Sequence, residues 1–67
     1  MAHVAPTTTP GAKLRLQREA YGIEQQAIAA RLRHHRNTIA AWEQSESVDV
    51  RRQRLYLGAL RELVDES

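Results

Sequence analysis

The sequence contains no cysteine, which excludes both a disulfide framework and a thiolate zinc site. No apolar run approaches the roughly 20 residues of a membrane span. The opening stretch from Met1 to Thr9 lacks the positive n-region and apolar core of a signal peptide. Alternating β-branched runs are absent, as are Asn-Gly and Asp-Gly hairpin signals, so no strand is expected. There is also no nucleophile–base pair, no glycine-rich phosphate loop and no metal constellation. A chain this short has little volume for a catalytic pocket. The expectation is therefore a non-enzyme without cofactor, metal or small-molecule ligand. The lack of cysteine fits a reducing compartment, and a cytoplasmic location is expected.

What is present is a 7.6 kDa chain of 67 residues, enough for one domain. Hydrophobic residues make up 42% and charged residues 27%, the composition of a globular protein rather than a disordered one. A domain of this size buries only about 60% of its unfolded surface. Self-association is one way for it to gain stability. The net charge of +2 conceals an uneven distribution. Between Lys13 and Arg36 six basic residues face two acidic ones, whereas residues 62–67 carry Glu62, Asp65 and Glu66 and no base. The cationic part suits a polyanion such as nucleic acid, and a solvated basic face is the plain alternative.

Local signals divide the chain into a leader (1–9), a helical domain (10–64) and an acidic tail (65–67). Thr9 and Pro10 suit a helix cap and first turn, and Gly22 suits a stop, which brackets a first helix through Tyr21. Along it Leu14, Arg18 and Tyr21 share one face, while Leu16 and Ala20 lie nearly opposite. A short second helix covers Glu24 to Leu32, with Ile28, Ala29 and Leu32 inside. The poor helix formers Arg33-His34-His35 break it. A third helix from Arg36 to Gln44 puts Ile39, Trp42 and Glu43 on one face and Asn37, Ala40, Ala41 and Gln44 on the other. Ser45-Glu46-Ser47 forms a polar turn, after which Ser47 or Asp49 can cap a fourth helix running to Val64. Val50, Leu57, Leu60 and Val64, flanked by Tyr56 and Leu63, supply its inward stripe. The fold class is all-α, with four helices.

Two short helices joined by a three- or four-residue break describe a helix-turn-helix. Ile28, Leu32, Ile39 and Trp42 fill the inside of the pair, and Ala29 sits where a larger side chain would push the helices apart. The chain resembles the phage repressor and Cro-type helix-turn-helix family in three linked stretches. These are Leu14-Arg15-Leu16-Gln17-Arg18-Glu19, Gly22-Ile23-Glu24-Gln25-Gln26-Ala27-Ile28-Ala29 and Asn37-Thr38-Ile39-Ala40-Ala41-Trp42-Glu43. The resemblance covers roughly residues 12–60 and places the helix-turn-helix at about 24–44. It implies a lambda-repressor-like fold and a sequence-specific regulator of transcription. It also implies a repressor that occupies a palindromic operator in double-stranded DNA as a homodimer.

The resemblance further implies roles for individual residues. The third helix would enter the major groove, with Arg36, Asn37, Ala40 and Ala41 at base edges. Arg suits guanine, Asn suits adenine, and alanine offers apolar contact to thymine methyl groups. Gln25 matches the phosphate-binding position at the start of the second helix. Gln26, Arg33, His35, Thr38 and Gln44 join it as phosphate contacts, with Arg51 and Arg52 from the fourth helix. Arg18 and Glu43 match a buried structural ion pair, each costly without the other. Leu55 and Ala59, on the back of the fourth helix, are the expected dimer face.

Departures from the family pattern are equally specific. Arg33 stands where the turn usually has glycine, so a left-handed backbone there would be strained. His34 replaces an aliphatic residue, and His34-His35 reads as a cap or phosphate neighbour rather than a metal pair. Glu24 replaces a Ser or Thr cap and repels phosphate. The alternative function is a protein-interaction module on the same scaffold, of antirepressor or antitoxin-like type. Glu24, Glu46, the alanine-rich face and the acidic tail favour it, and Arg36, Asn37 and Gln25 oppose it. Trp42, Tyr21 and Tyr56 are expected in the core.

Overall fold

A computed structural model describes residues 9–66. The expected leader, apart from Thr9, and Ser67 lie outside the described residues. Four α-helices follow one another: α1 (Pro10–Ala20), α2 (Gln25–Leu32), α3 (Arg36–Gln44) and α4 (Val50–Glu66), with no strand among the described residues. None of these helices is long and apolar enough to cross a membrane.

The helix ends follow from local chemistry. The Thr9 hydroxyl accepts the Ala12 N–H at 3.1 Å, and Pro10 occupies the first turn. Gly22, at φ 70°, takes the left-handed conformation that ends α1. Asp49 caps α4 by accepting the Arg52 N–H at 2.7 Å. Arg33 does adopt the left-handed backbone, with φ 60° and ψ 39°. This lets the His34 N–H reach the Ala29 carbonyl at 2.9 Å. The connection between α2 and α3 is thus closed by a residue with a Cβ where glycine would be unstrained.

The core is Leu14 from α1, Ile28 and Ala29 from α2, Ile39 from α3, Val48, and Tyr56, Ala59 and Leu60 from α4. Ile23, Leu32, Trp42, Leu57, Leu63 and Val64 pack around it half-buried. Ala29 is fully buried, as the close approach of α2 and α3 requires. A second close approach involves Gly11. A Cβ there would lie 2.7 Å from the carbonyls of Glu43 and Ser45 and would also collide with that of Trp42. The start of α1 therefore rests directly on the carbonyl end of α3.

Several expectations on α4 and α1 are corrected. Val50 is exposed at 60% and does not reach the core. Val48, in the preceding loop, is buried in its place. The stripe is centred one residue before Leu57, on Tyr56 and Leu60, and this turns Ala59 inward to 3% exposure. Ala59 is consequently unavailable as a dimer face. Tyr21 is exposed at 61%, beyond the last turn of α1, whereas Tyr56 is fully buried. The acidic residues Asp65 and Glu66 belong to α4 rather than to a separate tail. Arg31 of α2 ties the last turns of α4 to α2, forming ion pairs with Glu62 at 3.3 Å and with Glu66.

Candidate nucleic-acid interface

The third helix divides cleanly. Ile39 and Glu43 are buried, with Trp42 and Ala40 half-buried beside them, while Arg36, Asn37, Ala41 and Gln44 are exposed. Three of the four proposed base-edge residues therefore lie open to solvent, and Ala40 is partly covered. Helical spacing produces this for Asn37, Ala41 and Gln44, which fall on the side opposite Ile39 and Glu43. Arg36 shares the angular position of Glu43 but is the first residue of α3 and is exposed at the helix start.

The orientation of α3 is fixed from below by one carboxylate. Glu43 accepts two bonds from the Arg18 guanidinium, Nε at 2.7 Å and Nη2 at 3.0 Å. It also accepts the Tyr56 hydroxyl and the Gln25 side-chain amide, the latter at 3.0 Å. Arg18 spends a further donor on the Ile23 carbonyl at 2.7 Å. Four elements thus converge on one buried anion: α1, α2, α3 and α4. Burial by itself pushes the Glu43 carboxyl up, but the bonds from Arg18, Tyr56 and Gln25 outweigh it and hold the group below its ordinary 4.5. The bond to Glu43 raises Arg18 against its own burial. Burial, and then the adjacent carboxylate, push the Tyr56 phenol well above its ordinary range. The ion pair expected of Arg18 and Glu43 is present. Its extension to Tyr56 has no signature in the spacing, because a buried tyrosine reads simply as apolar.

Two open clefts flank α3. The first, of about 340 Å³, is lined by Arg18, Glu24, Gln25, Gln26 and Arg36. It brings the starts of α2 and α3 together, so Gln25, Gln26 and Arg36 share one surface. Gln25 donates one amide hydrogen to Glu43 and retains the second for an outside acceptor. Glu24 is the N-cap residue of α2, but its side chain makes no cap bond, so the first N–H groups of that helix stay available. Its carboxylate on the same cleft opposes an anion.

The second cleft, of about 370 Å³, is lined by His34, Thr38, Trp42, Asp49, Arg51, Arg52 and Leu55. Thr38, Arg51 and Arg52 are thereby gathered beside α3. Arg52 is partly committed, its guanidinium lying 5.9 Å above the Trp42 ring and 3.9 Å from Asp49. The His34 ring meets Trp42 edge-on at 5.4 Å. These aromatic contacts were not expected from the sequence, which reads Trp42 as core alone. Leu55, exposed at 42%, lies in this cleft rather than on a separate seam. Arg33 and Gln44 are exposed but line neither cleft.

His35 caps α3: its Nδ1 accepts the Asn37 N–H at 3.1 Å. That bond assigns the ring hydrogen to Nε2, which leaves a donor at the start of α3. No family model, curated protein or solved structure matches the chain.

Proposed function

We propose that this protein is a sequence-specific, double-stranded-DNA-binding regulator of transcription with a lambda-repressor-like helix-turn-helix, α2 and α3 forming that unit. α3 lies in the major groove, and the protein acts as a Cro-like repressor by occupying its operator. The observation that carries this reading is the division of α3: Asn37 and Ala41 face outward, and Arg36 is exposed at the helix start, while Glu43 and Ile39 anchor the inner side. An exposed Arg–Asn doublet at the start of a rigidly held helix supplies the donors that read guanine and adenine. The two flanking clefts offer Gln25 and Gln26 on one side and Thr38, Arg51 and Arg52 on the other for the phosphates along each strand. The protein binds a palindromic site as a homodimer, one recognition helix per half-site and the two about 34 Å apart.

The test is selection of bound sequences from a random duplex pool, followed by titration of the enriched site. Arg36→Ala and Asn37→Ala each cost about 1–3 kcal/mol on that site and little on random duplex. Equal losses on both duplexes, or no enrichment at all, would falsify the reading. A second reading, a protein-interaction module on the same scaffold, draws support from the Glu24 and Asp49 carboxylates on the two clefts. Salt separates the two, because phosphate contacts give a steep fall of affinity with ionic strength and an apolar protein interface does not.

A further inference from the structure

The cleft between the starts of α2 and α3 is lined by two guanidinium groups and one surface carboxylate, Arg18, Arg36 and Glu24, and their commitments differ. Arg18 is fully engaged. Its Nε and Nη2 donate to Glu43 at 2.7 and 3.0 Å, and its Nη1 donates to the Ile23 carbonyl at 2.7 Å. The carboxylate beneath the cleft, Glu43, is engaged in turn by Arg18, Tyr56 and Gln25. Glu24 and Arg36 remain. Both are exposed, and neither takes part in an ion pair among the described residues. Glu24 makes no side-chain cap bond to α2 either.

Helix register brings these two groups to one place. Arg36 precedes Glu43 by seven residues, which is about 700° of rotation, so the two share an angular position on α3. Glu43 meets Gln25, the first residue of α2. Arg36 therefore leaves α3 on the flank turned toward the start of α2, where Glu24 is the N-cap residue. When a duplex docks, an arginine on that flank can turn to a backbone phosphate or to a guanine edge. A carboxylate on the same cleft decides between them, because it repels phosphate and attracts the guanidinium. The guanidinium is a planar fork of five donors. One edge can rest on a carboxylate while another stays bidentate for guanine O6 and N7.

We infer that Glu24 is a positioning residue for Arg36. It takes one edge of the guanidinium as the duplex docks and directs another to a guanine instead of a phosphate. The inference deepens the proposed function and rests on it for the statement that Arg36 reads bases. It gives the Glu24 carboxylate, which opposes general affinity for DNA, a part in choosing sequence.

A double-mutant cycle of Glu24→Gln and Arg36→Ala provides the test. Dissociation constants are measured by fluorescence anisotropy on the enriched duplex, on every single base-pair replacement of it, and on random duplex. Arg36→Ala identifies its guanine as the position where preference is lost. Glu24→Gln should lower preference at that same position by ~10-fold, within what a bidentate arginine–guanine contact supplies. Random duplex should be bound at least as tightly as by wild type. Its salt dependence should steepen by about one phosphate contact, because the released guanidinium turns to the backbone. Glu24→Asp keeps the charge and should retain part of the preference. With Arg36 already replaced, Glu24→Gln should shift all duplexes alike. Both side chains are exposed, so circular dichroism should show an unchanged helical fold.

Uniform tightening on every duplex in both backgrounds would overturn the inference, because simple repulsion of phosphate has that signature. Loss of preference at a different base pair would overturn it as well. A random pool without enrichment would remove the proposed function and the inference together. An enriched site whose preferences survive Arg36→Ala or Glu24→Gln would remove the inference alone.

Discussion

Replacing Glu43 by Gln tests the central claim about how α3 is held. The substitution keeps the volume and one carbonyl acceptor but removes the charge that two Arg18 donors address at 2.7 and 3.0 Å. Arg18 is 8% exposed and Glu43 4%, so the orphaned guanidinium is not rescued by water. Breaking a buried pair from one side costs about 3–5 kcal/mol. Arg18 keeps its bond to the Ile23 carbonyl and lies 3.9 Å from the exposed Glu19, which places the cost near the lower end of that range. A domain of 67 residues at ~0.05–0.15 kcal/mol per residue has roughly 3–10 kcal/mol in total. Glu43→Gln should thus remove a third or more of the stability. Urea unfolding at neutral pH, followed by far-UV circular dichroism, measures the loss. The combination Arg18→Met, Glu43→Leu and Tyr56→Phe replaces the network by apolar side chains and should recover most of it. A Glu43→Gln loss under about 1 kcal/mol, the value of an exposed pair, would refute the reasoning.

Acid should act through the same group. Because the folded carboxyl is held below 4.5, its contribution is complete above that value and disappears as pH falls through the lower folded one. The urea midpoint of wild type should then drop with acid, and that of Glu43→Gln should lack this component. Gly11→Ala drives a Cβ into the carbonyls of Trp42, Glu43 and Ser45, which cannot move without uncoupling α1 from α3. The expected cost is about 3 kcal/mol, read from thermal unfolding. Arg33→Gly relieves the left-handed strain at φ 60°, and the same measurement should show a gain of about 1 kcal/mol. No change would mean that the turn holds Arg33 without strain.

The helix number and most boundaries could be read from caps and stops, because those signals act within three or four residues. Thr9, Gly22, Asp49 and the break at residues 33–35 each specify an end by their own backbone chemistry. The pairing of Arg18 with Glu43 came from the resemblance and from both residues facing inward. What could not be read depends on tertiary placement. Val48 is buried although it lies in a loop, where no periodicity applies. Ala59 turns inward and Val50 outward because the packing centre of α4 sits on Tyr56. The Tyr56 hydroxyl reaches a carboxylate thirteen residues away, and the Arg31 guanidinium reaches one thirty-five away. No local pattern encodes either distance.

The link from Arg31 to Glu62 and Glu66 makes the acidic end of α4 a counterweight to α2. Clipping off residues 65–67 would remove two carboxylates and leave ten basic residues against six acidic ones, a shift from +2 to +4. It would also free one side of the Arg31 guanidinium. The shortened chain would adhere more readily to heparin or any other polyanion, irrespective of base sequence.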